Sequence, residues 1–387
     1  MRDTITFLDR VKMIKFIATT KKFTSGENVK AFEREWNSWL GSKFSLFVSS
    51  GSTANLLLIA SVMEKYGIKP GDKVLLPACT WMTNVAPIMQ LGLTPIFCDI
   101  NLDNFSFNVK NMKSIAIQHP DIKIVFVTHL LGLPADNDTY AGIFPNAIIL
   151  DDVCESHGAR LADGKRVGSN SIGATFSFYF GHHMTTVEGG IVSTNDHELY
   201  DIMKMKRSHG LARESEIFDV YASMYAELDK SFLFITDGYN FRNHEICAVL
   251  GRSQLKRLDR TIEARKLNYR NFINMLRGHD DKFYVPTASH LNSSFCFPMV
   301  AKSRSYKLQL QELLDANNIE HRPVVGGNLL RQPFISGKYE LAYPEGAINA
   351  DIVNDNGLYI GNNQFVTVKD IDRLDSILSE IVVLGDN

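Results

Sequence analysis

The chain has 387 residues, 45% hydrophobic and 22% charged, enough apolar material for one large core and a second, smaller one. Its 41 basic and 43 acidic side chains leave a net charge of -2 with no basic stripe, which argues against nucleic acid as a partner. No apolar run approaches the roughly 20 residues of a membrane span, and residues 1–6 carry no signal pattern, so no membrane association and a cytoplasmic location are expected.

In chain order, seven apolar runs read as strands: 44–48, 74–77, 94–98, 124–127, 147–151, 174–178 and 190–194. The earlier intervals are long enough for helices, which predicts crossover connections and a mainly parallel seven-stranded sheet in an α/β fold. An amphipathic stretch at 243–278 reads as a connecting helix, followed by a smaller C-terminal α+β domain. The division is therefore 1–250, a large ligand-holding domain, and 251–387, the connecting helix and small domain. Five cysteines at 79, 98, 154, 247 and 296 lack the spacing of a zinc or iron–sulfur site and read as free thiols; no metal is expected.

Ligands of such sheets bind beyond the carboxyl ends of the strands, where three polar segments collect. Ser49-Ser50-Gly51-Ser52-Thr53-Ala54-Asn55 joins a strand to a helix and reads either as a phosphate cradle or as a Ser-capped turn. Ile149-Leu150-Asp151-Asp152 ends a strand in two carboxylates, with Glu155 one turn on. Either Asp could pair with a protonated ring nitrogen or simply cap a helix, and alternation lets only one face the site. The third segment runs from Thr175-Phe176-Ser177 through Gly181-His182-His183 to Glu188-Gly189-Gly190.

Together with Phe23-Thr24-Ser25-Gly26-Glu27, Ser208-His209-Gly210, Gly238-Tyr239-Asn240-Phe241-Arg242 and Glu320-His321-Arg322-Pro323, these segments resemble the sugar-nucleotide aminotransferases over nearly the whole chain. The resemblance implies an aspartate-aminotransferase-like, fold-type I architecture and pyridoxal phosphate as cofactor. In that family a lysine joined covalently to the cofactor stands five residues after the serine of Ser-Phe and six before the glutamate of Glu-Gly-Gly. Both counts arrive at His182, and no lysine lies between Lys165 and Lys204.

Imidazole forms no stable imine, so the cofactor would be held non-covalently, as pyridoxamine phosphate, with His182 as an acid–base of near-neutral intrinsic pKa. The chain thus resembles the His-for-Lys branch of the family, the 3-dehydratases of 4-keto-6-deoxy sugars. Without an iron–sulfur cluster, the implied substrate is a GDP-sugar, GDP-4-keto-6-deoxy-D-mannose, with L-glutamate regenerating pyridoxamine phosphate and ammonia released.

The same resemblance implies the residue roles. Asp152 would pair with the ring nitrogen, with Glu155 beside it; Gly51, Ser52, Thr53 and Ser177 would hold the phosphate, and Trp81 would stack on the ring. Asn240 would reach the phosphate across the interface of a homodimer with shared sites. His209, Arg213, Arg242 and Arg322 are candidates for substrate contacts: the guanidinium forks of the three arginines suit diphosphate and carboxylate groups, with surface ion pairs as the alternative, and His209 would support the cofactor's hydroxyl or be a structural histidine. Val187 occupies a position commonly Gly. Competing readings are an aminotransferase using a distant lysine, a silent nucleotide-sugar-binding relative, and a metal hydrolase built from Asp151, Asp152, His182 and His209.

Overall fold

A computed structural model describes residues 4–336, 338 and 346–382. All seven expected strands form: β1 Phe44–Val48, β2 Lys73–Pro77, β3 Thr94–Cys98, β4 Ile124–Thr128, β5 Ile148–Asp152, β6 Gly173–Ser177 and β7 Gly190–Thr194. They lie in the order β1-β7-β6-β5-β4-β2-β3. Strands β3, β2, β4, β5 and β6 are parallel, and β7 runs against both neighbours.

Residue alternation separates two apolar layers. Leu150 joins Ala54, Leu57 and Leu58 of the helix Gly51–Tyr66 on one face, whereas Ile149 packs with Val125 and Val127 on the other. Asp152 shares the face of Leu150 and Asp151 that of Ile149, so only Asp152 is aimed at the helix Gly51–Tyr66.

A second, antiparallel sheet, β10-β11-β9-β8, is built from β8 Phe283–Tyr284, β9 Cys296–Ala301, β10 His321–Arg322 and β11 Gly357–Gly361. Its core unites Phe297, Met299 and Leu358 with Tyr269 and Phe272 of the helix Leu258–Leu276, and continues into Ala78, Cys79 and Leu131 of the large sheet's loops. The stretch expected as one connecting helix is two, Glu245–Leu255 and Leu258–Leu276. At the break Arg257 leaves helical geometry and its guanidinium bonds Asp9 at 3.0 Å and the Thr4 carbonyl at 3.1 Å. The division at 250/251 falls inside the first of these helices.

The Phe23–Glu27 motif is explained by Glu245. Its buried carboxylate accepts from the amides of Gly26, Asn28 and Val29, each at 2.9 Å, and so caps the helix Glu27–Leu40 from outside it. A Cβ on residue 26 would lie 2.9 Å from the Glu245 carboxyl carbon, which is why Gly26 stands there. Burial raises the Glu245 pKa, but the bonds from Val29, Asn28 and Gly26 outweigh it and leave it below the usual carboxylate range. Glu245→Ala is expected to cost about 1–3 kcal/mol or more in urea unfolding, because buried amides lose their acceptor. Since the folded pKa is depressed, this advantage of the wild type is present above the unfolded carboxylate pKa and shrinks as pH falls through the folded one. A variant matching the wild type at neutral pH would show that other acceptors serve these amides.

Candidate active site

The turn after β1 is both of the things its sequence suggested. Ser50 caps the helix Gly51–Tyr66: its Oγ accepts from Thr53 N at 3.1 Å while Thr53 Oγ1 accepts from Ser50 N at 3.0 Å. The Thr53 amide, expected to hold phosphate, here donates to Ser50, and Thr53 is not among the cavity-lining residues. The first-turn amides left to receive an anion are those of Gly51 and Ser52, both cavity-lining. A Cβ on Gly51 would sit 2.7 Å from Ser177 Cβ and 3.1 Å from Cys154 Sγ, so glycine is what lets the helix end approach Ser177.

These groups open into a cavity of 810 Å³ lined by eight of the expected residues: Gly51, Ser52, Trp81, Asp152, Glu155, Ser177, His182 and Arg322. At the end of β5, Asp152 Oδ2 accepts from Asn55 Nδ2 at 3.0 Å and Asn84 Nδ2 at 2.8 Å, and Oδ1 accepts from the Cys154 amide at 2.9 Å. Thr175 Oγ1 donates to Asn55 Oδ1 at 2.6 Å and Thr80 Oγ1 to Asn84 Oδ1 at 3.1 Å, which fixes both amide orientations. Burial pushes Glu155 up to about 7; the bond from the Leu131 amide opposes that and the charge of Asp152 adds to it. Trp81, half exposed, precedes the helix Met82–Gln90 and offers a ring at the cavity wall.

His182 follows β6 on the turn after Tyr179, its amide bonded to the Tyr179 carbonyl at 3.0 Å. Its ring lies against Phe295 (centroids 5.6 Å apart), His157 (6.0 Å) and Tyr179 (6.3 Å), and its Nδ1 is buried without a hydrogen-bond partner. Burial first, and the Arg265 guanidinium second, push its pKa down to about 3, so it enters as neutral imidazole. His183 turns away and donates from Nε2 to the Ser293 carbonyl at 3.1 Å. Val187 adopts φ 71°, a left-handed conformation costly for a β-branched residue and natural to the Gly common at this position.

Five expected residues lie outside the cavity of this chain: Thr53, His209, Arg213, Asn240 and Arg242. Asn240 Oδ1 accepts from Arg242 Nε at 3.1 Å, Arg242 meets His209 Nε2 at 3.3 Å, and Arg213 is exposed with its Nη1 donating to the Ser231 carbonyl at 3.4 Å. Arg322 lines the cavity but pairs with Glu320 at 2.8 Å. The metal-hydrolase set is not assembled: Asp151 faces the opposite side, bonded to His129 and Asn137, and among the described residues no group of three or more His, Cys, Asp or Glu could hold a metal ion. Burial pushes the Cys79 thiol up to about 12 and raises those of Cys98, Cys154 and Cys296, disfavouring the thiolate that metals need.

Sequence reasoning missed Asn55, Asn84 and Arg265. Asn55 left a trace, a polar residue directly ahead of the apolar run Leu56-Leu57-Leu58 on a helix that proves buried. Asn84 and Arg265 have no such mark.

The chain belongs to the DegT/DnrJ/EryC1/StrS aminotransferase family, whose profile matches residues 8–373. Within it, the chain is 33% identical to the GDP-4-keto-6-deoxy-D-mannose 3-dehydratase of Escherichia coli O55:H7, over 95% of this chain and 96% of that one. It is 35% identical to the enzyme of the same name from Yersinia pseudotuberculosis, over 95% and 94%. A solved GDP-4-keto-6-deoxymannose-3-dehydratase with a trapped PLP-glutamate geminal diamine superposes with a TM-score of 0.87 at 31% identity, covering 97% of this chain and 98% of that one.

Gly51→Ala is expected to weaken pyridoxamine phosphate binding by about tenfold or more, ~1.4 kcal/mol, in a fluorescence titration. Unchanged affinity would place the phosphate elsewhere.

Proposed function

We propose that the protein removes the 3-hydroxyl of GDP-4-keto-6-deoxy-D-mannose, with L-glutamate as the second substrate and pyridoxamine phosphate as the cofactor. When bound, that cofactor supplies a primary amine for the keto group and a ring that accepts electron density. The residues present fit it: the Gly51 and Ser52 amides with Ser177 suit its phosphate, Asp152 its ring nitrogen and Trp81 its ring face. The two oxygens of Asp152 already take three donors from the protein, which orients the carboxylate before any ligand arrives.

The observation that carries the reading is His182, a cavity-facing, neutral imidazole where relatives place a lysine. It can hold one proton and, as imidazolium, release it to the oxygen leaving carbon 3. A lysine could compete by covalent attachment; histidine leaves the cofactor free. In the net reaction the sugar exchanges its 3-hydroxyl for hydrogen while glutamate is oxidised to the 2-oxo acid and ammonia leaves, so atoms and electrons balance without an external reductant.

His182→Asn is expected to lower turnover by at least about 100-fold while keeping pyridoxamine phosphate affinity, and borohydride treatment of the wild type with pyridoxal phosphate should yield no pyridoxyl-lysine by peptide mass spectrometry. Retained turnover would assign the base elsewhere, and a modified lysine would favour the aminotransferase reading.

The working unit in this proposal is a homodimer in the cytoplasm. Support for the dimer is that Asn240, His209 and Arg242 cluster outside this chain's cavity, and that the chain between His209 and Asn240 exposes the apolar Val220, Met224, Phe232 and Phe234. Support for the compartment is five free cysteines. If Asn240 serves the neighbouring site, mixing inactive His182→Asn and Asn240→Ala subunits restores about a quarter of the wild-type activity, because half the dimers are hybrids with one intact site each. No recovery after verified subunit exchange would mean that each chain completes its own site.

A further inference from the structure

The geometry points to Arg265 as a positioning residue for His182: its guanidinium pins the loop 293–295 against which the His182 ring packs, and places a positive charge without a carboxylate partner in the cavity that His182 lines. Arg265 stands on the helix Leu258–Leu276, 3% exposed, and lines the cavity. Its Nη1 donates to the Phe295 carbonyl at 2.8 Å, and among the described residues no carboxylate lies within ion-pair distance of it; its Nε is buried without an acceptor.

The loop is held from every side. Asn362 Nδ2 bonds the Ser294 carbonyl at 2.9 Å and the Arg265 carbonyl at 3.0 Å, and His183 Nε2 donates to the Ser293 carbonyl. The amides of Ser293 and Phe295 donate to the carbonyls of Gly132 and Leu131. Ser294 takes the left-handed φ of 57° that turns the chain so that the Phe295 ring meets His182 at 5.6 Å and His183 at 5.9 Å. A Cβ on Gly132 would fall 2.4 Å from the Phe295 amide nitrogen, so the approach of the two loops leaves no slack.

A buried guanidinium without a counter-ion is costly, and its retention beside an acid–base calls for a use. His157 and Tyr179 are ring neighbours of His182, and Arg265 lines the same cavity as do Asp152, Glu155, Glu188, Glu320, Arg322, Tyr359, Asp370 and Arg373. Arg265 is the charge that, after burial, disfavours the imidazolium; His157 and His183 are themselves held neutral by burial. The imidazole is therefore kept as a base until it takes a proton, and then parts with that proton readily.

This inference rests on His182 being the acid–base of the proposed reaction. Its test is histidine C2–H exchange read by mass spectrometry on pyridoxamine phosphate-loaded protein, in the wild type and in Arg265→Met, Arg265→Gln and Arg265→Lys. The two uncharged variants are expected to raise the His182 titration midpoint by about one unit or more, tenfold in proton affinity, and to move the acid limb of the kcat profile upward with cofactor affinity unchanged. Arg265→Lys keeps the charge and stays near the wild type. Arg265→Gln preserves an amide donor for the Phe295 carbonyl, so a fold lost in the Met variant does not remove the test. A His182 midpoint unmoved in a folded uncharged variant overturns the inference whatever the turnover; full turnover by His182→Asn would instead overturn the reading on which it rests.

Discussion

A carboxylate buried at the end of β5 organises this site. Asp152 is 5% exposed, and a charge so placed has to be met by hydrogen-bond donors or be expelled. Here two asparagine side chains and a backbone amide meet it; Asn55 is held by Thr175 of β6 and Asn84 by Thr80 of the loop before its own helix. Asn55 lies on the helix that opens the anion cradle, Asn84 on the helix that follows Trp81, and Thr175 on β6, the strand that leads to His182. One carboxylate thus fixes the relative placement of phosphate cradle, stacking ring and acid–base, so that each is in position before a ligand arrives.

His182 owes its chemistry to what surrounds it rather than to its identity alone. An exposed histidine near its ordinary pKa would be part charged at neutral pH; this one is burdened by desolvation and by an unpaired guanidinium, and stays neutral. Glu155, lining the same cavity, is displaced the opposite way for the same physical reason, burial. Two titratable groups moved toward their uncharged forms within one cavity give it a proton acceptor and a weak acid while little net charge is buried.

The large sheet was legible because each strand is a short apolar run closed by polar or turn residues, and its direction because the intervals fit helices. The His182 position was legible from two independent spacings to Ser177 and Glu188. Alternation assigns Asp151 and Asp152 to opposite sides without saying which is which; the family resemblance picks Asp152, and the face of Leu150 supplies the physical reason. The break between Leu255 and Leu258 carries neither Gly nor Pro; it is set by tertiary contacts of Arg257 with Asp9 and Thr4, which no local pattern records. The engagement of the Thr53 amide has a similar origin, because the motif alone does not show that Ser50 forms a capping pair with it. Arg265 looks in sequence like any polar residue of an amphipathic helix, and only the packing of the loop 293–295 reveals its burial.

The central claim is that a histidine in the lysine position directs the sugar toward deoxygenation instead of amination. A single turnover of pyridoxamine phosphate-loaded protein with GDP-4-keto-6-deoxy-D-mannose, quenched and analysed by mass spectrometry, tests it most directly. The account predicts a sugar lacking one oxygen, with ammonia released in equal amount; a GDP-linked amino sugar that keeps its 3-hydroxyl would contradict it.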